Sequence, residues 1–161
     1  MKKLAFLLIF LFVLCGCTAQ ENDTPYICEK IYFDKDNMEE IVISAIYTTP
    51  GNDTETTGEK VQMDFVGGNI HQAIQILASD TKKYMYKPVK SIAFGSLMDD
   101  KDKFLLITEL VNTTEMQLKC DIYEDLEKEY FLSTPENDLR AEKISFSEYY
   151  RIKTSEVCVE K

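Results

Sequence analysis

The sequence predicts an α+β fold: a mixed or antiparallel sheet, opened by a β-hairpin, with two to four helices packed on it. Three observations indicate this class. Two strand-like segments flank a turn cluster near residue 36, which is typical of a hairpin. Apolar residues at helical spacing follow near residue 74. Strand-like and helix-like segments then interleave, an order that favours helices packed on one sheet over a doubly wound sheet.

The hairpin is predicted from residues 26–33, "YICEKIYF", and 39–49, "EEIVISAIYTT". The first segment alternates apolar and polar residues, the second is rich in β-branched residues, and "DKDN" at 34–37 forms the turn. Residues 50–59, "PGNDTETTGE", are predicted to be an exposed loop because Pro, Gly, Thr and Asp favour local hydrogen bonds. Residues 60–67 alternate again and predict an edge strand.

The clearest helix begins after Asn69, whose side chain is placed to cap it. His71 falls off the apolar stripe of this helix, so we expect it to be solvated and without a catalytic role. The stripe itself consists of Ile70, Ala73, Ile74 and Leu77.

The next pair of elements is a strand and a second helix. Residues 87–95, "KPVKSIAFG", predict a short strand closed by Gly95. Residues 99–112 predict a helix capped by Asp99 or Asp100, whose charge also suits the positive end of the helix dipole.

The last third of the chain predicts four more segments. Residues 115–123 alternate and predict a strand, with Met116, Leu118, Cys120 and Ile122 facing inward. The remaining segments are a helix at 124–133, a connection rich in breakers at 134–143, a helix or irregular turn at 144–155 and a possible terminal strand at 156–161.

The amino terminus has the layout of a secretory signal peptide. Residues 4–15 are 12 consecutive apolar residues behind Lys2 and Lys3. A helix of that length covers only about 18 Å, whereas a bilayer core needs roughly 30 Å. A basic start, a short apolar run and small residues after it therefore predict a segment that is removed, residues 1–16.

The end of this segment, Leu14-Cys15-Gly16-Cys17, resembles the bacterial lipobox. In that motif a diacylglycerol is attached to the last cysteine, here Cys17, which becomes the first residue of the mature chain. Two acyl chains supply the double hydrophobic signal that stable anchoring needs. The alternative is an ordinary signal peptide with two idle thiols, and lipidation of Cys17 is the favoured interpretation.

The mature chain is predicted to be one tethered domain. Residues 17–25 are short and polar, end at Pro25 and predict a lipidated, flexible stalk. Removal of the first 16 of 161 residues leaves 145, which suits a single domain over 26–161. The loss of two lysines takes the formal net charge from −10 to −12. We expect no nucleic-acid partner, since phosphate contacts require clustered Lys and Arg.

Three cysteines remain in the domain: Cys28, Cys120 and Cys158. An oxidising exterior would allow one disulfide and one free thiol, or all three could stay reduced. A zinc site is excluded because there is no C-x-x-C pair and His71 is the only histidine. The favoured interpretation is that all three cysteines are small residues of the core.

The sequence carries no motif of a catalytic or cofactor site. It has no G-x-S-x-G elbow, no Gly-rich phosphate loop followed by Lys and no H-E-x-x-H. The carboxylates at 34–40 lack the central Gly and final Glu of an EF-hand loop, so a solvated turn is predicted there. We therefore expect a protein that is not an enzyme and has no cofactor or metal.

The order of segments resembles the C-subunit lipoproteins of bacterial spore germinant receptors. "KIYFDKDNMEEIVISAIYTTP" (30–50) is similar to their opening hairpin, and "VGGNIHQAIQILASDTKKYMY" (66–86) to their small-residue turn and helix. "KSIAFGSLM" (90–98) matches a strand ending in Gly. "DDKDKFLLITELVNTTEMQLKCDIY" (99–123) matches an acidic-capped helix and a strand. "ISFSEYYRI" (144–152) matches an aromatic-rich helix near the end of the first domain of that family.

The resemblance covers about residues 26–155 and the lipobox. It implies a lipid-anchored, non-enzymatic subunit of the germinant receptor, or a truncated relative corresponding to its first domain. Members of that family sit on the spore inner membrane beside two integral membrane subunits and help nutrients to trigger germination. The implied partners are thus the membrane, through diacylglycerol on Cys17, and integral membrane subunits. The implied location is the extracytoplasmic face of the spore inner membrane or cell membrane.

A second class of function stays open: a free-standing envelope lipoprotein that binds a ligand or inhibits an envelope enzyme. Aromatic residues could line its interaction surface, or could cover the edges of the core with their hydroxyls in water. The residues in question are Tyr84, Tyr86, Tyr149 and Tyr150.

Overall fold

A computed structural model of the protein describes residues 26–49, 59–79, 84–85, 89–114 and 119–159, and these form one sheet with helices on it. The strands are β1 (Tyr26–Lys35), β2 (Ile41–Thr48), β3 (Lys60–Gly67), β4 (Tyr84–Met85), β5 (Ser91–Phe94), β6 (Asp121–Tyr123) and β7 (Lys143–Ser145). The helices are α1 (Ile70–Ala78), α2 (Asp100–Thr114), α3 (Lys128–Ser133) and α4 (Phe146–Val159), with a 3₁₀ turn at Glu136–Asp138.

The sheet is mixed, and its strand order is β3-β2-β1-β5-β6-β7, with the two-residue β4 also paired to β1. The predicted hairpin is confirmed: β1 and β2 are antiparallel, and β3 continues the meander as the edge strand. β5 lies parallel to β1, and β6 lies parallel to β5. The predicted α+β class with a sheet opened by a hairpin is therefore confirmed.

The two faces of the sheet are covered unequally. Because side chains alternate along a strand, Ile31 and Phe33 of β1 face one side and Tyr32 faces the other. The larger core lies on the first side, where α1, α2 and α4 pack. The smaller one lies beneath α3. The larger core includes Ile43, Tyr47, Ile74, Leu77, Ile92, Leu106, Leu110, Ile122 and Phe146; the smaller joins Tyr32, Ala93, Tyr123 and Phe131.

The predicted caps of α1 and α2 are confirmed. The Asn69 side chain accepts a hydrogen bond from the Gln72 backbone N–H at 2.9 Å. Asp99 accepts one from the Asp102 N–H at 2.8 Å, so Asp99 rather than Asp100 is the capping residue. Each cap satisfies a backbone donor that the first helical turn leaves unpaired.

A bulge interrupts β1 near its start. Cys28 pairs with Tyr47 and Lys30 pairs with Ile46, so Glu29 is the extra residue. A bulge bends the strand and re-aims the neighbouring side chains. Here it places Glu29 and Lys30, two charged residues in succession, at the amino end of the central strand.

Three predicted boundaries in the last part of the chain were wrong. The helix predicted at 124–133 begins only at Lys128, because Asp125 has a φ of 54° and Glu127 is extended. Residues 143–145 form β7, paired with β6. Residues 156–159 of the predicted terminal strand are helical instead, because α4 runs to Val159. β-branched residues favour strands, but this preference is weaker than the stabilisation from the hydrogen bond that each added residue gains when it extends an existing helix.

The other predicted elements hold within narrower bounds. The strand expected at 87–95 spans Ser91–Phe94 and is followed by Gly95, as predicted. The strand expected at 115–123 spans Asp121–Tyr123. Residues 115–118, which include Met116 and Leu118, lie outside the described part. Residues 50–58 of the predicted loop also lie outside it. No helix within the described part has both the length and the apolar character to cross a bilayer.

Candidate functional site

The predicted lipidation site lies outside the described residues. Cys17 and the stalk 17–25 precede Tyr26, where β1 begins. Lipid attachment at Cys17 therefore stays a prediction from the sequence.

Two of the three domain cysteines are small core residues, as the favoured interpretation expected. Cys28 and Cys120 are free thiols with exposed fractions of 0% and 1%. Burial raises the pKa of Cys28 far above its usual range and raises the pKa of Cys120 to about 12. A thiol held in this protonated state is a poor nucleophile. The side chain of Cys158 lies outside the described part.

The two described tyrosines considered for an interaction surface do not share one. Tyr149 is 3% exposed and stacks on Phe94 at a ring separation of 6.0 Å, so it belongs to the core. Tyr150 is 36% exposed and lies against Phe146. For Tyr84 the structure describes only the backbone, which lies in β4. Tyr86 lies outside the described residues. The tyrosines thus give no argument for a continuous aromatic surface.

The lone histidine and the acidic turn have the placements expected of solvated groups. His71 is exposed, with Nδ1 3.4 Å from Glu109 Oε2. In the turn, Asp36 accepts hydrogen bonds from the backbone N–H groups of Met38 and Glu40. Asp34 accepts them from those of Lys35 and Leu97. Within the described ranges, no group of three His, Cys, Asp or Glu side chains is arranged to hold a metal ion.

A pocket of about 470 Å³ opens at the amino end of β1, between the sheet and the segment that follows α3. We call it the lysine pocket. Lysines from three parts of the sheet meet around it: Lys30 on β1, Lys60 at the start of β3 and Lys90 just before β5. Residues 132–137 form the facing wall, and Glu29, Ile46 and Thr48 complete the floor.

Lys30 is the buried member of this set. The residue is 8% exposed, and its ammonium lies 4.9 Å from the centre of the Phe131 ring. The ammonium donates to the carbonyl oxygen of Phe131 at 2.7 Å and to that of Thr134. Burial lowers the pKa of Lys30, against the opposing charge of Glu136. Among the described residues, no carboxylate forms an ion pair with Lys30; its direct polar partners are these neutral carbonyl groups.

Glu29 provides the main negative charge in the lysine pocket. Its carboxylate lies 3.1 Å from Lys90 Nζ and 3.9 Å from Lys60 Nζ. Burial alone would raise the pKa of Glu29, but hydrogen bonds from Lys90 and Thr48 and the charges of Lys90 and Lys60 together lower that pKa. Three ammonium groups therefore face two carboxylates, those of Glu29 and Glu136. The balance is positive although the whole chain has a net charge of −10.

The opposite end of the sheet is acidic. β1, β5 and β6 are mutually parallel, so their carboxyl ends share one edge. The chain places carboxylates at or after each of these ends: Asp34 and Asp36, Asp99 and Asp100, and Glu124 and Asp125. Lys35, Lys103 and Lys153 form ion pairs at this end, but the carboxylates outnumber them. The balance of charge is thus positive in the lysine pocket and negative at the carboxyl end of the strands.

Sequence reasoning missed the lysine pocket. Lys30, Lys60 and Lys90 are far apart in the chain, and only the strand order brings them together. One local signal was available: the consecutive charges of Glu29 and Lys30 break the alternation of β1, at the position where the bulge occurs. What the arrangement can do chemically is to hold an anion, because each ammonium offers several hydrogen-bond donors and no acceptor.

Comparison of the chain with protein-family models, with curated proteins and with solved structures found no match.

Proposed function

We propose that the protein is a membrane-anchored bacterial lipoprotein, lipidated at Cys17 and not an enzyme. It acts as a subunit of the nutrient germinant receptor, or as a relative of one, in spore germination. Its partners are the membrane, through diacylglycerol, and the integral membrane subunits of that receptor. It lies at the extracytoplasmic face of the spore inner membrane or cell membrane.

One observation carries this proposal: Leu14-Cys15-Gly16-Cys17 directly follows an apolar run of signal-peptide length. The fold supports it as well. The resemblance in the sequence implied a hairpin, a capped helix, a strand ending in Gly and an acidic-capped helix. β1 to α2 contain these elements in that order.

The physical role of the anchor is to confine the domain. A tether of eight residues between Cys17 and Tyr26 keeps the domain in a thin layer beside the membrane. Confinement raises its effective concentration for membrane partners without any additional contact. Binding, rather than bond making, is the activity that this arrangement favours.

A second candidate function is a free-standing envelope lipoprotein that captures a ligand or inhibits an envelope enzyme. The observation that favours it is the lysine pocket, which offers a partly enclosed volume of about 470 Å³ with a positive balance of charge. A receptor subunit would not require such a pocket.

The test is a mass measurement of the mature N-terminus together with crosslinking in spore and vegetative membranes. The proposal expects diacylglycerol on Cys17 and receptor membrane subunits among the crosslinked proteins. Cys17→Ala should abolish lipidation, whereas Cys15→Ala, which changes the other cysteine of the motif, should leave it intact. An unlipidated N-terminus would refute the anchor. Lipidation with only soluble envelope enzymes attached would favour the second candidate.

A further inference from the structure

The lysine pocket concentrates positive charge where the fold does not need it. Lys60 and Lys90 have side chains that are 66% and 54% exposed, so neither fills the core. Both are directed to the single carboxylate of Glu29. Lys128 and Lys143, by contrast, each pair with a separate carboxylate, Asp64 and Asp121 respectively.

Lys30 is held ready to contact a ligand. An ammonium has three N–H donors, and two of them are directed to the carbonyl oxygens of Phe131 and Thr134. These bonds fix the ammonium in the pocket wall and leave one donor for a ligand atom. A donor fixed before binding loses little conformational entropy when the ligand arrives.

We propose that the lysine pocket binds a phosphate group, contacted by Lys30 from the wall and by Lys60 and Lys90 from the rim.

The choice of phosphate rests on the number and arrangement of the cations. Lysine binds phosphate as a point charge, so several ammonium groups can share the oxygens of one anion. The pocket lining contains three lysines and no arginine among its described residues. Ammonium groups that approach from three strands can reach different oxygens of a tetrahedral anion. A volume of about 470 Å³ also lies in the range of small-molecule sites and leaves room for the group esterified to the phosphate.

Two sources of phosphate fit this chemistry: a soluble phosphate ester and an anionic phospholipid headgroup. The pocket lies at the amino end of β1, which is the end closer to Cys17 along the chain, and the acidic edge of the sheet lies at the other end of the strands. If Cys17 carries lipid, the lysine pocket lies at the end of the domain that joins the anchored stalk, where anionic headgroups would attract its positive charge. The headgroup source rests on the proposed anchoring, whereas the pocket rests on described residues alone.

Native mass spectrometry of the purified mature lipoprotein in a neutral detergent tests the proposal. The probes are inorganic phosphate, phosphatidylglycerol and, as a lipid without net charge, phosphatidylcholine. The test variant is Lys60→Gln with Lys90→Gln, since these exposed side chains can be changed without disturbing the core. The matched control is Lys128→Gln with Lys143→Gln, which removes the same charge at positions outside the lysine pocket.

The unaltered protein should bind inorganic phosphate, phosphatidylglycerol or both, in preference to phosphatidylcholine. The test variant should bind about tenfold or more weakly, as expected for the loss of charge-assisted hydrogen bonds, and the control within about twofold of the unaltered protein. Binding of phosphatidylglycerol alone would identify a headgroup site, and binding of inorganic phosphate would identify a soluble one.

Two outcomes would overturn the proposal: no binding of either anionic probe, or equal loss in the test and control variants. Either is distinguishable from a failure of the proposed anchor, because the mass of the purified chain reports lipid on Cys17 independently of the probes.

Discussion

Gly95 lies directly against the carboxylate of Asp34. A Cβ atom at Gly95 would lie 2.0 Å from Asp34 Oδ2 and 2.5 Å from the Tyr32 hydroxyl oxygen. Asp34 in turn accepts hydrogen bonds from that hydroxyl at 3.1 Å and from the Leu97 N–H at 3.2 Å. The absence of a side chain at Gly95 thus makes room for a carboxylate that links the carboxyl end of β1 to the turn after β5.

Gly95→Ala should destabilise the fold by about 1–3 kcal/mol, because the methyl group displaces the Asp34 carboxylate from its hydrogen bonds. Urea unfolding would measure the loss. Gly68→Ala is the matched control, since a Cβ there would lie 3.4 Å from the end of the flexible Gln72 side chain. Equal effects of the two substitutions would contradict this account.

Tyr32 should make the protein less stable in alkali. Burial raises the pKa of the Tyr32 hydroxyl, and the negative charge of Asp34 raises it further. Above about pH 10, the unfolded chain releases a proton that the folded chain retains, so the free energy of unfolding falls as the pH rises. Tyr32→Phe should reduce this fall between about pH 9 and pH 11, as measured by urea midpoints. The same pH dependence in both proteins would refute the assignment.

Cys28 and Cys120 should resist alkylation in the folded protein. Both thiols are buried, and their raised pKa values leave almost no thiolate near pH 8. Iodoacetamide should label them slowly in buffer and rapidly in denaturant, as followed by site-resolved mass spectrometry. Labelling of either residue at the denatured rate in buffer would show that the core around it opens readily.

Asn69→Ala should destabilise the domain by about 1 kcal/mol, because the Gln72 N–H loses its acceptor at the start of α1. Thermal or urea unfolding would measure the loss. Asn69→Asp keeps an oxygen in the capping position and should retain most of the stability. If both variants unfold alike, the cap does not stabilise α1 in the intact domain.

The parts of the fold that local patterns determine were predictable from the sequence. The hairpin has alternation on both sides of a turn cluster, and α1 has a cap followed by apolar residues at helical spacing. β7 has no such pattern: it is three residues long and is defined by its pairing with β6. The start of α3 depends on the backbone at Asp125, which adopts a positive φ although it is not glycine.

The lysine pocket could not be predicted from the sequence, because it too depends on which strands pair rather than on a local pattern. Its three lysines lie 30 positions apart or more in the chain, and a list of such residues does not reveal which strands become neighbours. Lys30 in particular gives no sign of its burial, since a single lysine in a strand is usually exposed. The three-dimensional order of β3, β2, β1 and β5 is what joins these residues.

The central place of β1 also decides how the domain would respond to tension. β1 is hydrogen-bonded to β2 on one side and to β5 on the other, and it is the first strand after the proposed tether. Force transmitted through the chain ahead of Tyr26 would therefore enter the middle of the sheet, where the ladders on both sides are loaded in shear and must rupture together. An edge strand in the same position would peel away one hydrogen bond at a time. If the chain is anchored through Cys17 as proposed, a domain attached in this manner would be mechanically suited to remain folded while the membrane moves.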